Sequence, residues 1–329
     1  MAALIYLVLA RKEGLKVLNP FRDFLIIALF SIIYSSFNFK SLSALTGFLY
    51  MLRVIIYFYL YKLSFNVIKE NSKLKPTIFN SLLLVSLAVS VFGWIQYFLY
   101  PDLTSLKYLG WDDHLYRLVG TFLDPGFTGL IIVFGAVLSF FRKKYILLFF
   151  LLVTLAFTYA RAGYLAFAVS LFFASLILKQ FKMFLIILIC FLIVVFLLPK
   201  PGGEGVNLAR TYSISSRLLN YKETFEIFKK SPVFGVGFNN LCLYKGSIIS
   251  HSCSGSDSSL LLILATTGII GFMVFIASAL KILARLNRGF YSKTFLVLLS
   301  AVFVHSLFVN SLFYPWVMGY LAISASLTE

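Results

Sequence analysis

Apolar runs of about 17 to 23 residues recur along the whole of this 329-residue chain, and they leave few folds open to it. The stretch "MFLIILICFLIVVFLLP" (183–199) is typical. A helix needs about 20 such residues to cross a bilayer. Inside lipid every backbone N–H and C=O must be paired within the protein, so only helices and closed barrels span it. The strand-like alternation of a barrel is absent. Only 12% of residues are charged and the mean hydropathy is +0.94, where a soluble domain carries about 25% charged residues. The sequence therefore predicts an all-α fold: a polytopic transmembrane helix bundle of about 11–12 spans, forming a single domain over residues 1–329.

Spans are expected near 1–10, 23–39, 43–63, 77–100, 124–141, 144–159, 162–178, 182–199, 258–280, 294–312 and 315–328. The opening "MAALIYLVLA" lacks a basic leader and reads as a short or trimmed first span rather than a cleavable signal. Basic residues then sort the loops. Seventeen of the 29 Lys and Arg fall in one alternating set of short loops, among them Lys73, Lys75, Arg142, Lys143, Lys144, Arg288 and Lys293. The positive-inside rule makes that set cytoplasmic. It also accounts for the net charge of +17 without a nucleic-acid partner. The other set is external: a short link near Lys40, residues 101–123, the tight turn at Arg161 and a long loop over 200–257.

The long loop has internal order. Ser213 to Lys230 has helical spacing, with Leu218, Leu219, Tyr221, Phe225 and Phe228 on one face and charged residues largely opposite. This predicts an amphipathic helix on the outer membrane surface, ended by Ser231-Pro232. Cys242 and Cys253 are close enough in the loop to pair if that side is oxidising, while Cys190 sits in an apolar run.

Four motifs follow in order: "RLVGTFLDPG" (117–126), "TYARAGYLAF" (158–167), "SSRLLNYKETFEIFKKSPVFGVGFNN" (215–240) and "DSSLLLILATTGIIG" (257–271). Over roughly residues 80–280 the chain resembles the O-antigen ligase and polymerase family of integral-membrane glycosyltransferases. The resemblance implies an undecaprenyl-diphosphate-linked oligosaccharide donor and a glycan or lipid-linked glycan acceptor. It also implies contact with membrane lipids and a site facing the periplasm or exterior of the cytoplasmic (inner) membrane. Ligases of the family typically carry His-Asn, or a similar pair, nine residues before a G-x-x-G. Here the matching pair is Asp257-Ser258 and the nearest histidine is His251, a departure that leans the reading toward a polysaccharide polymerase rather than a ligase.

Such a reaction needs cations for a diphosphate and a base for a sugar hydroxyl. Arginine suits the first task, because its planar fork bonds two oxygens at once. The candidates are Arg161, Arg117, Arg210 and Arg217. Arg161 reads either as a diphosphate ligand or as an interfacial anchor, and Arg117 either as a ligand or as the partner of an aspartate. For the base, His251 has an imidazole that titrates near ambient pH, and Asp257 occupies the family position. Asp257 reads equally as a helix N-cap or first-turn carboxylate, and His251 as a solvated loop residue. Gly268 and Gly271 are expected to permit close helix packing, Gly235 and Gly237 a tight turn. His305 is expected to be a hydrogen-bonded core residue, and Arg53 stands mid-span with no partner that the sequence names. No metal-ligand cluster and no nucleotide loop is present in the sequence, so no cofactor and metal-independent catalysis are expected. A transporter is the reading of another class, but transporters place ionisable groups at the bilayer midplane, whereas these collect at one face.

Overall fold

The computed structural model describes residues 18–19, 21–37, 41–109, 114–199, 201–245 and 255–328. Among them are twelve α-helices and no strand: α1 (Arg22–Ser36), α2 (Ser41–Glu70), α3 (Leu74–Leu99), α4 (Pro125–Phe141), α5 (Tyr145–Phe157), α6 (Arg161–Leu178), α7 (Phe181–Phe196), α8 (Tyr212–Lys230), α9 (Leu241–Lys245), α10 (Ser259–Arg285), α11 (Phe290–His305) and α12 (Pro315–Ser326). Gly47–Glu70 and the whole of α3, α6 and α10 are long and apolar enough to cross a membrane; α4, α5, α7 and α11 are shorter apolar helices. The chain is a multi-pass, all-α membrane protein. Its outward apolar side chains fit that setting: on α7, Ile186, Ile189, Leu192 and Phe196 are exposed, as lipid-facing residues are.

Two compact units divide the chain, one of Met1–Ser72, Ser215–Asn287 and Leu312–Glu329, the other of Lys73–Ile214 and Arg288–Ser311. The second unit is built around α4. Asp124 caps it, its carboxylate accepting the Phe127 N–H at 2.8 Å, and Pro125 opens it. From Thr128 to Phe141 every residue of α4 is buried, which is how a helix apolar all round must be placed. It packs on α3, α5, α6 and α11, and α11 lies along α6. Small residues let these helices close up: a Cβ on Gly135 would stand 2.5 Å from the Ser86 Cβ, and one on Gly93 would stand 2.4 Å from Leu118 Cδ2. Lipid is as apolar as leucine, so such close packing, rather than burial from water, holds spans together.

In the first unit α1 packs on α2 and α10, and α12 packs on α2. Its centre is aromatic, with Phe24 edge-on to Phe238 and Phe275 at centroid distances of 6.1 and 5.2 Å. The unexpected element is α10. It is not one continuous helix: Gly268 has φ 68° and ψ −175°. The strip 232–237 fills the break. Val236 and Gly237 donate to the carbonyls of Ala265 and Thr266 at 3.0 Å, and Ile269 donates to Pro232 at 2.9 Å. The backbone groups freed by the break are thus paired again, the condition for irregular backbone at membrane depth. The contact is too close for side chains: a Cβ on Gly235 would lie 2.3 Å from Thr266 C, and one on Gly268 would lie 2.2 Å from the Val233 carbonyl oxygen. The expectation for Gly268 is corrected accordingly. It does not ease the packing of an intact helix but breaks the helix, and the G-V-G-F strip is docked into that break.

Candidate functional site

In the second unit, α5 ends and α6 begins at the turn Thr158–Arg161, and three of the four predicted arginines gather there. Tyr159 takes the left-handed conformation, φ 49°, which reverses the chain in two residues. Its ring is buried at 1% exposure, and its hydroxyl donates to the Pro199 carbonyl at 2.6 Å. The turn points its carbonyls at cations. Arg117 donates from Nε to Thr158 O at 3.0 Å and from Nη2 to Tyr159 O at 3.3 Å. Arg210 donates from Nη2 to the same Tyr159 oxygen at 3.2 Å, and from Nη1 to Gly205 O and Asn207 O at 2.8 and 2.9 Å. Arg161 reaches the other way: Nη1 donates to Leu208 O and Arg210 O at 3.2 and 2.9 Å, and Nη2 to Ser213 Oγ at 2.5 Å. The loop 205–213 and the turn 158–161 are therefore stitched together by guanidinium groups. A Cβ on Gly205 would come within 2.8 Å of Arg117 Cδ, so glycine is what lets Arg117 lie flat beneath the loop.

Sharing one carbonyl keeps the Nη2 atoms of Arg117 and Arg210 within 6.5 Å of each other, the sum of their two bonds. At an effective dielectric near 20, two unit charges at that separation repel by about 2.5 kcal/mol. These carbonyl partners orient the forks without carrying a negative charge of their own. An anion placed between them would add an attraction to each cation, and together these outweigh the repulsion.

Sequence reasoning missed the residue that fixes Arg117 from behind. Gln96, in α3, accepts the Val119 and Gly120 N–H groups at 2.9 and 3.3 Å and donates to Arg117 O at 3.3 Å. An amide inside an apolar span is the signal that could have found it. Trp94, one of the aromatics there, donates to Thr154 Oγ1 at 3.0 Å and so ties α3 to α5. His305 is the buried, bonded residue expected: it is fully buried, with Nδ1 2.6 Å from Ser311 Oγ.

Asp257 and Arg217 belong to the first unit. The cap of α10 is Ser258, whose hydroxyl accepts the Leu261 N–H at 3.4 Å; the N-cap reading of Asp257 is thus corrected by one residue. Asp257 stands just before the cap and is held by its backbone, its N–H donating to Asn220 Oδ1 at 2.9 Å. Ser256 Oγ donates to the same oxygen at 3.4 Å. Asn220, in α8, was not singled out from the sequence. Tyr221 beside it has its phenol pushed up, first by burial and then by the Asp257 charge, with Arg217 opposing. Lys245 closes this corner, 3.1 Å from Glu223 Oε2 and 3.3 Å from the Gly255 carbonyl. Cys242 is disulfide-bonded. His251, Cys253, Trp111, Asp112 and Asp113 lie outside the described residues.

The amphipathic helix is present as α8, with Thr224 and Ile227 buried and Leu218, Leu219 and Phe225 exposed. The outward apolar side is the one the sequence assigned to a membrane surface. Arg53 in α2 lies 4.8 Å over the ring of Tyr50, one turn earlier.

No curated protein matches this chain. Residues 146–276, from within α5 to within α10, match the family model described as O-antigen ligase. This segment carries Arg161, Arg210, Arg217 and Asp257 but not Arg117.

Proposed function

We propose that the protein is a membrane glycosyltransferase that lengthens polysaccharide. On this reading it moves a glycan from an undecaprenyl-diphosphate-linked donor to a sugar hydroxyl, on the outer face of the cytoplasmic membrane and without a metal ion. The observation that carries the reading is the gathering of Arg117, Arg161 and Arg210 at one turn, each with its fork held by backbone carbonyls. A diphosphate leaving group develops negative charge as the anomeric C–O bond breaks. Cations fixed beforehand stabilise that charge without reorganising at the moment of reaction. The acceptor hydroxyl oxygen forms the new bond to the anomeric carbon. The electron pair of the broken bond leaves on the diphosphate, and the hydroxyl proton passes to a base. Asp257 takes that role by its place before the G-x-x-G, and His251 is the alternative. Arg217 is assigned to the same diphosphate on the resemblance of its motif.

A ligase acting on a lipid A-core or protein acceptor is the second reading, and it is favoured by the description of the matching family. One experiment separates them. Purified protein in liposomes is given a polyprenyl-diphosphate-linked oligosaccharide, alone or with a ligase acceptor, and products are run on a gel. A ladder of longer glycans from the donor alone supports the polymerase. Transfer only when lipid A-core or a protein is added makes it a ligase. No transfer to any acceptor removes the enzyme reading and returns the transporter. Loss of the ladder in chelator would overturn metal independence.

A further inference from the structure

We propose that the second unit binds the phosphate headgroup of an anionic phospholipid at the end opposite the arginine turn, with Arg142 at the centre. α4 connects the two ends. Gly129, near its start, lies beside Thr158 and Ala160, and Arg142 follows its last residue, Phe141. Seventeen helical residues separate the ends by about 25 Å.

Arg142 lies between rings from two other helices, its guanidinium carbon 4.8 Å from the Phe79 centroid and 5.5 Å from that of Phe290. The rings fix its plane, yet its Nε and Nη2 are buried with no hydrogen-bond partner among the described residues. One turn back on α4, Ser139 is fully buried and its hydroxyl is equally unpartnered. Buried polar groups are ordinarily bonded, and orphans call for an explanation. Protein carboxylates of this unit do not supply one. Residues 73–99, 125–199 and 288–311 contain no Asp or Glu at all, while Lys143 and Lys144 directly follow Arg142. Lys75 adds a further cation at this end, 5.7 Å over the ring of Tyr291.

A phosphate is the ligand this chemistry fits, because arginine and lysine both bond it with charge assistance. The neighbourhood selects a lipid as its source. Tyr145 and Ile146 at the start of α5 are exposed, Ile146 to 90%, and α5 is one of the apolar helices. Aromatic rings and lysines at the ends of apolar helices mark headgroup depth. The site is independent of the glycan reading and stands at the other end of the unit.

The test is native mass spectrometry of the full-length protein, stripped of lipid in mild detergent and titrated with phosphatidylglycerol or with phosphatidylcholine of the same chains. The wild type is expected to keep phosphatidylglycerol at roughly tenfold lower concentration than Arg142→Gln does, a charge-assisted bond being the difference. Phosphatidylcholine should distinguish the two proteins little. Lys75→Gln, on the rim, should shift retention in the same direction by less, and it serves if Arg142→Gln fails to fold. Equal retention of the two lipids by the wild type overturns the proposal, as does unchanged retention in both variants. Displacement of the lipid by millimolar inorganic phosphate would mean that the site serves a soluble phosphate, which also overturns it.

Discussion

At the turn 158–161 charged side chains are fastened by backbone carbonyls, whereas at the start of α10 a backbone is fastened by one neutral side chain. Arg117, Arg161 and Arg210 each donate to carbonyls from distant parts of the second unit. Asp257 is located through its own N–H, on Asn220. In the first case the charged groups are themselves part of the scaffold, so removing one disturbs the fold along with any ligand it holds. In the second the backbone that carries the carboxylate is held by a neutral amide. Removing Arg161 should therefore differ in kind from removing the Asp257 carboxylate.

The largest expected effect is that of Arg161→Ala. It deletes a cation from the proposed diphosphate site and leaves the Leu208 and Arg210 carbonyls and Ser213 without their donor. Glycan transfer should fall on the order of a thousandfold, the scale of a lost preorganised donor. Arg161→Lys should restore little, because an ammonium cannot place donors along three fixed directions. A lysine variant with near wild-type turnover would show that charge alone suffices, and the contrast between the corners would collapse.

Next in size is Gly268→Ala. The residue is held at φ 68°, and a Cβ would meet the Val233 carbonyl oxygen at 2.2 Å. Strain and displacement of the docked strip should cost about 3 kcal/mol. Thermal unfolding of the purified protein measures it, and an unshifted midpoint would remove the reading of α10 as a helix broken by design. A smaller effect is expected for Asn220→Ala, which leaves the Asp257 N–H without its acceptor at a cost of about 1 to 2 kcal/mol. If Asp257 is the base, transfer should fall roughly tenfold while Asp257→Asn, with the Asn220 bond intact, lowers turnover further but leaves stability near wild type. Destabilisation by Asp257→Asn equal to that by Asn220→Ala would mean that the carboxylate is itself part of the scaffold.

Helix content was legible because lipid imposes one solution on a long apolar run. The spans read from hydropathy agree with α3 to α7, α10 and α11 to within several residues. Arg117, Arg161 and Arg210 were legible as candidates because arginine in an apolar chain is costly unless used. What could not be read was who holds them. Thr158, Tyr159, Leu208 and Gly205 act through backbone atoms, which any residue carries, and Gln96 is a single amide in a span. The break in α10 was hidden for a related reason. Each glycine motif alone permits a turn or a close helix contact, and only the pairing of 232–237 with 265–270 shows that the two motifs are halves of one joint. Asn220 escaped because a lone amide on an amphipathic helix resembles its solvated polar face.

The smallest effect separates the two corners by pH. Tyr159 in the arginine turn has its phenol pushed up to about 12, by burial first and by Tyr97 second. A phenol whose folded-state value is raised favours the protonated folded form. Its contribution is fully present below the ordinary value near 10 and is lost as pH climbs from about 10 toward 12. Tyr159→Phe removes the ionising group and the 2.6 Å bond to Pro199, so it should lower stability by about 1 kcal/mol at neutral pH. The same variant should soften the alkaline decline. At the other corner Tyr221 is also raised, but Arg217 opposes the shift, so Tyr221→Phe should change the alkaline limb less. Melting temperatures of the wild type and both variants between pH 8 and 12 check the ordering. If the wild type and Tyr159→Phe decline in parallel through that window, the phenol at the arginine turn is not what alkali attacks. The carbonyl–guanidinium knot would then have to be failing elsewhere.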